Sequence, residues 1–221
     1  INYLLLLGWS LDDKTEDFTR DEMIRHFSLE RVNKSPASFD PQKLSAFQLR
    51  HMQQLPIKQK VALVLPFLQK AGFVASPPPC DTAPPLTKIV EAAGDRIKTA
   101  GDILEFDEFF VADDKLHYDE KAFEKRVRAK GAAELLKRFR DVLADTEPFD
   151  RATCEAALRS FLELKDIKIG EIIHALRVAV TGKGVGLGMF EALEILGQAH
   201  SLARIDRCLE RMESEATRRP T

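Results

Sequence analysis

Apolar residues recur at helical spacing along most of the chain. The clearest stripe follows Asp150 and occupies positions i, i+3, i+4, i+7 and i+8: Cys154, Ala157, Leu158, Phe161 and Leu162. Comparable stripes comprise Leu44, Phe47 and His51; Val61, Val64, Leu65 and Leu68; Ile89, Val90 and Ala93; Phe123, Val127, Leu135, Leu136, Phe139 and Val142; and Ile169, Ile172, Ile173, Leu176 and Val180. Residues three and four apart share one face of a helix, so these stripes predict amphipathic helices. No segment alternates as a strand does, and we predict an all-α fold.

Start and stop signals agree with this pattern. Thr19 and Glu22 form the sequence of a capping box, and Asp40 followed by Pro41 predicts a helix start. Pro66 interrupts the stripe of the helix that Pro56 opens, so we expect a kink or a division there. Residues 76–85 contain five prolines and predict a stiff linker, with a hinge between two helical bundles.

Aromatic and glycine residues mark two further features. Phe106, Phe109 and Phe110 are expected in the core, because three phenylalanines would be costly to leave in water. The segment 182–188 contains four glycines and predicts a corner between helices, although an ordinary mobile connection is the alternative. Two short helices are expected after the corner, and the tail after Glu213 is expected to be frayed.

The composition is that of an ordinary globular protein, and the chain as a whole carries no excess of positive charge. Of the 221 residues, 44% are hydrophobic and 31% are charged, and the net charge is −2. Any contact with nucleic acid would therefore be local. Basic residues concentrate between Lys121 and Arg140 and at Arg204, Arg207 and Arg211, which the simplest interpretation places on solvated helix faces. Three dispersed cysteines indicate a reducing compartment, and the first apolar run is too short to span a membrane.

Sequence signatures of catalysis are scarce. The glycine-rich segment lacks the order and the preceding strand of a phosphate-binding loop. The five histidines are scattered, so we predict no metal site and no catalytic residue in this chain. An all-helical scaffold that binds only proteins remains an alternative function, and an enzyme of unknown type is a second one.

Three segments resemble bacterial glutamyl-tRNA synthetases, which are class I enzymes. They are Tyr3 to Ser10 with Phe27 to Leu44; Arg96 to Ile103 with Phe109 and Phe110; and Leu176 to Gly197 with Leu202 to Ile205. The chain departs from the family pattern at Ala46, Gln48 and His51, and the family often has a proline near Leu187. The resemblance implies the tRNA-binding, C-terminal portion of such an enzyme, with tRNA-Glu as partner.

The resemblance also implies site residues. Arg96 would face the third anticodon base and favour cytosine, because a guanidinium offers a rigid donor fork to base acceptors. The first two anticodon bases would lie between Arg177 and the loop with Gly186, Leu187 and Met189. Possible contacts of the tRNA backbone are Lys43, Arg50, Lys98 and Lys183.

The implied organisation has four parts. Residues 1–55 would be part of a stem-contact region, 56–149 and 150–215 two helical subdomains for anticodon binding, and 216–221 a frayed tail. The chain begins without methionine, and we expect the catalytic half, with its sites for ATP and Mg²⁺, to lie upstream. No cofactor is predicted for this chain itself, which we expect to be cytoplasmic, monomeric and not inserted in a membrane.

Overall fold

The computed structural model describes residues 1–79 and 82–218, and these residues form a helical protein. The α-helices are α1 Asn2–Leu6, α2 Arg20–His26, α3 Pro41–Gln54, α4 Ile57–Lys70, α5 Ala83–Ala93, α6 Glu120–Ala122, α7 Ala132–Ala144, α8 Arg151–Lys165, α9 Ile173–Thr181 and α10 Met189–Arg218. A π-helical segment, Phe123–Val127, continues α6. The 3₁₀ segments are Leu29–Arg31, Gly94–Arg96, Ala100–Phe109, Asp113–Lys115 and Ile169–Glu171. In the part described, extended pairing is limited to a bridge between Trp9 and Val32, which confirms the all-α prediction.

Side-chain caps explain where several helices begin. Thr19 and Glu22 form the predicted capping box of α2. Asp40 accepts hydrogen bonds from the backbone amides of Gln42 and Lys43, and so satisfies amides that have no partner inside α3.

Proline has less effect than the sequence suggested. Helix α4 continues through Pro66 without division, and Val64 and Leu68 on either side of it are buried. Burial of these side chains outweighs the one helical hydrogen bond that a proline removes. Helix α5 begins inside the predicted linker, since prolines are tolerated in a first turn, whose amides have no helical partner. Residues 80 and 81 of that linker lie outside the described part.

The expected hinge between two bundles at residues 76–85 is wrong. Helices α4 and α5 flank the proline-rich segment and pack in the same apolar cluster, the first cluster. Its buried members are Met52, Val64, Leu68, Leu86, Ile89, Val90, Ala93, Ile97, Ile103, Phe106 and Leu187. Apolar burial across the segment therefore holds its two sides together.

A second cluster joins the π-helical segment with α7, α8, α9 and α10. It extends from Phe123 to Cys208, and Phe109 packs against both clusters. Phe106 is buried and Phe110 packs on the first cluster, so the aromatic core prediction is confirmed. The first cluster is built mainly from residues up to Phe110 and the second from residues after Tyr118, although Leu187 belongs to the first. The boundary at 149/150 stays a prediction.

Helix α10 consists of two helices that meet at Gly197. The φ of Gly197 is +76°, which breaks the helical path and confirms the two helices expected after the corner. The second of them continues to Arg218, past the position where fraying was expected to begin. The frayed tail at 216–221 stays a prediction. Residues 219–221 lie outside the described part.

The basic group on α10 does not form a solvated face. Arg204 is 2% exposed and donates hydrogen bonds to the carbonyls of Glu108, Val111 and Val180 and to the Asp113 carboxylate. This arginine ties α10 to α9 and to the segment after Phe106. The guanidinium thus serves the fold, and Arg204 is excluded as a surface contact for RNA.

Candidate nucleic-acid interface

The corner between α9 and α10 begins with a glycine that no other residue can replace without strain. Gly182 has a φ of +73°, a left-handed conformation that favours glycine. A Cβ built on it would lie 1.9 Å from the carbonyl oxygen of His117. The Gly182 amide donates to the Val178 carbonyl at 2.8 Å, and its own carbonyl accepts from the Asp119 amide at 2.7 Å. The start of the corner is therefore fixed to the end of α9 and to the segment that contains His117 and Asp119.

Residues 183–188 form the reading loop, a name we use for this segment below. Val185 at its tip is 81% exposed, and Gly184 is also exposed. A Cβ built on Gly186 would lie 3.6 Å from Glu108 Oε1 and 3.8 Å from Arg177 Nη1. The tip thus projects into solvent, while its last glycine lies over an arginine and a carboxylate.

Arg177 projects from α9 towards the end of the reading loop. Its Nη1 donates a hydrogen bond to the carbonyl of Leu187. Burial lowers the pKa of Arg177, and the nearby positive charge of Arg96 lowers it further, while Glu191 and Glu108 act in the opposite direction. The charge of Arg96 thus lies within electrostatic range of the Arg177 guanidinium.

Arg96 ends the 3₁₀ segment that follows α5, and its side chain is exposed. Within the described residues its guanidinium has no hydrogen bond or ion pair. The neighbouring Asp95 accepts a hydrogen bond from Gln53. The Thr-x-x-acid pattern that follows is a capping box: Thr99 and Asp102 bond reciprocally, and Asp102 also accepts from the Lys98 amide at 2.8 Å. This box fixes the chain just after Arg96.

The side chains of Leu187 and Met189 are inside the protein. Leu187 is 1% exposed and belongs to the first cluster, and Met189 is 4% exposed and belongs to the second. The structure thus does not place these two side chains at the surface as stacking platforms. The exposed features are the backbone of the reading loop at its tip and the side chain of Arg96, while Arg177 is half-buried.

Lys183 is engaged within the protein. Its ammonium bonds to the carboxylates of Asp107 and Glu108 and to the carbonyl of Glu105. Burial alone would lower the pKa of Lys183, but its hydrogen bonds to Asp107 and Glu108 raise it overall. Burial raises the pKa of Glu108, and Lys183 only partly offsets that effect.

Two other predicted backbone contacts are paired as well. Lys43 Nζ lies 2.8 Å from Glu16, and Arg50 lies 3.3 Å from Asp17 and stacks on the ring of Phe47. Both residues belong to α3, away from the reading loop in sequence. Of the four candidates, Lys98 has an exposed side chain and, among the residues described, no ion pair.

Sequence reasoning missed Glu108, which is 2% exposed. The available signal was an acid beside Phe106 and Phe109, in a segment already predicted to be core. A carboxylate buried at such a position needs a partner, and only the fold shows that the partner is Lys183.

The cysteines that the structure describes are apolar fillers, as predicted. Cys154 and Cys208 are free and fully buried. Burial raises the pKa of Cys154 to about 11 and that of Cys208 to about 12, so both remain protonated thiols at neutral pH. Cys80 lies outside the described residues.

Comparison with known proteins agrees with this fold. The model of the anticodon binding domain family matches residues 59–209, and the chain belongs to this family. It is 36% identical over 207 residues to the glutamate–tRNA ligase of Moorella thermoacetica, covering 94% of this chain and 42% of that protein. It is 37% identical over 206 residues to the glutamate–tRNA ligase of Roseiflexus castenholzii, covering 93% and 40%. The predicted resemblance is confirmed.

Solved structures show the same fold. The glutamate tRNA ligase of Elizabethkingia meningosepticum, in complex with its amino acid, superposes with a TM-score of 0.81 at 23% identity, over 95% of this chain and 40% of that one. The chain therefore spans about two fifths of the length of the relatives it matches. Among the residues described, no helix is long and apolar enough to cross a membrane.

Proposed function

We propose that this chain is the part of a glutamate–tRNA ligase that recognises the anticodon of tRNA-Glu and positions the tRNA for aminoacylation. The observation that carries the proposal is the exposed reading loop, whose end is bonded to Arg177, in a chain of the anticodon binding domain family. The names of the relatives support glutamate as the amino acid. Residues 1–55 would contact the inner stem, and the two parts after them the anticodon.

The chemistry of the two arginines suits splayed bases. Cytosine presents two adjacent acceptors on its pairing edge, which a guanidinium fork can engage, whereas guanine presents donors at the equivalent positions. Arg96 is exposed and unpaired in the described part, so it is free to read such an edge. Arg177 would hold the neighbouring bases against the backbone of the reading loop, where glycines permit close approach.

The remaining steps belong to the rest of the enzyme. Activation of glutamate with ATP and Mg²⁺, and its transfer to the 3′ end of the tRNA, are proposed for the part of the relatives' length that this chain does not span. The protein is proposed to act as a monomer in the cytoplasm.

A titration of the purified chain against labelled anticodon stem-loops tests the proposal. The stem-loop of tRNA-Glu with cytosine at the third anticodon position should bind more tightly than its guanine counterpart. Arg96→Gln should reduce this preference by about 1–3 kcal/mol, the usual contribution of a good base contact. Arg177→Ala should weaken binding to both stem-loops, because it holds the loop that the first two bases, common to both, would contact.

Arg138→Gln is the matched control, because Arg138 is an exposed arginine of α7 paired with Glu134. It should leave both affinities unchanged. Equal binding of cognate and unrelated stem-loops by the wild-type chain would contradict anticodon recognition. Equal losses for both bases in Arg96→Gln would make Arg96 a phosphate contact.

A further inference from the structure

A buried carboxylate lies beneath the reading loop. Glu108 is 2% exposed, and one of its oxygens accepts a hydrogen bond from Lys183 at 2.7 Å. The other oxygen, Oε1, has no hydrogen-bond partner among the described residues and lies against Gly186. Lys183 is thus the residue that neutralises Glu108 from within the loop.

Both ends of the reading loop are anchored by charged side chains. Lys183 at its start bonds to Asp107, Glu108 and the Glu105 carbonyl. Leu187 near its end accepts from Arg177. Arg204 donates a hydrogen bond to the backbone carbonyl of Glu108 at 2.9 Å, which fixes the backbone that carries the Glu108 carboxylate.

Lys183 cannot bind an RNA phosphate without a large loss of favourable free energy at Glu108. If its ammonium moved to an RNA phosphate, Glu108 would be left buried with no partner for either oxygen. Removing one member of a buried pair costs far more than an exposed ion pair contributes. The ammonium is therefore expected to stay on Glu108 while RNA is bound.

We propose that Glu108 and Lys183 are a positioning pair, which holds the reading loop in the shape that anticodon bases require. The proposal deepens the proposed function and rests on it. Glu108 acts through two neighbours: it retains Lys183 at the start of the loop, and its negative charge opposes the effects that lower the pKa of Arg177 at the end. Lys183 is then a residue of loop geometry and makes no contact with the tRNA backbone.

Variants of the two residues test this assignment. Glu108→Gln, Lys183→Met and the double variant should be titrated against the cognate anticodon stem-loop and its third-base guanine counterpart over a range of KCl concentrations. Each single variant should lose roughly tenfold in cognate affinity and part of its base preference, with the salt slope unchanged. The double variant should lose no more affinity than either single variant, because both substitutions break the same interaction.

A phosphate contact by Lys183 would give a different pattern and would overturn the assignment. Lys183→Met would then reduce the magnitude of the salt slope by about 0.7, Glu108→Gln would bind as well as wild type, and the double variant would bind as poorly as Lys183→Met. Lys137→Met, which changes an exposed lysine of α7, is the control and should alter neither affinity nor slope.

Amide hydrogen exchange of residues 182–188 separates this inference from the proposed function, because it needs no RNA. Faster exchange in Glu108→Gln, with α7 unchanged, supports the positioning pair even if no stem-loop binds. Unchanged exchange in the loop overturns the pair even if the wild-type chain reads the anticodon. Since Glu108→Gln keeps the size of the side chain, the test does not depend on the folding of Lys183→Met.

Discussion

At the scale of single residues, the left-handed conformation of Gly182 determines the shape of the corner. Gly182→Ala should lower the free energy of unfolding by at least about 2 kcal/mol, from left-handed strain together with overlap on the His117 carbonyl. Urea unfolding followed by circular dichroism measures it. Gly170→Ala is the matched control: Gly170 has open space around it and should change stability by less than about 0.5 kcal/mol. Equal effects of the two substitutions would contradict this account of the corner.

Residue types alone predicted some roles and misled on others. The glycine cluster indicates local conformation, and the corner after α9 follows from it. The capping box of Thr99 and Asp102 was not predicted. Arg204 was grouped with Arg207 and Arg211 because charge alone does not tell whether a guanidinium faces water. Its acceptors are the carbonyls of residues 108, 111 and 180, which only the fold brings together.

At the scale of elements, the segment Asp113–Lys115 is attached to α10 by charge. Asp113 Oδ1 accepts from Arg204 Nε at 2.6 Å, and Oδ2 lies 2.7 Å from His200 Nδ1. Burial alone would raise the pKa of Asp113, but the hydrogen bonds from Arg204 and His200 outweigh it and lower the pKa below 3.8. Helix α10 is therefore held to this segment most firmly when Asp113 is ionised.

The sign of the resulting pH dependence follows from that direction. A carboxyl whose folded pKa is depressed contributes stability that is complete above its unfolded pKa and is lost as the pH falls through the folded value. The wild-type protein should thus exceed Asp113→Asn in free energy of unfolding by the largest amount at neutral pH, and this difference should shrink below pH 3.8. Urea unfolding at several pH values measures this difference. Comparing the two proteins cancels Glu108, whose raised pKa has the opposite effect. A difference that grows on acidification would contradict the assignment.

Apolar periodicity was a better guide to elements than proline content. Stripes of apolar residues predicted α3, α4, α7, α8 and α9, because burial of one face stabilises a helix even where Pro66 removes a hydrogen bond. The hinge prediction was wrong because it weighed local composition, whereas Val64 and Leu68 belong to the same buried cluster as Leu86 and Ile89. Tertiary packing decides such cases.

At the scale of the whole molecule, several arginines of the two basic groups are bound to acids within the protein. Arg140 bonds to Asp206, Arg128 to Glu215 and Arg211 to Glu120, so part of the basic stretch between Lys121 and Arg140 and of the α10 group is neutralised. This arrangement agrees with a net charge of −2 and with recognition through a small surface. Pairing of this kind links residues far apart in sequence and could not be predicted from composition.

The salt dependence of RNA binding should therefore be shallow. If Arg96, Arg177 and Lys98 are the cations that reach RNA, three phosphate-equivalent contacts give a slope of log affinity against log salt of about −2. Fluorescence anisotropy of the cognate anticodon stem-loop in increasing KCl measures the slope. Lys98→Met should reduce its magnitude by about 0.7, whereas Lys137→Met should leave it unchanged, because that lysine lies on α7 and is not among the three proposed contacts. A wild-type slope steeper than about −4 would require more cations at the interface, and would return the basic residues between Lys121 and Arg140 to the RNA-binding surface.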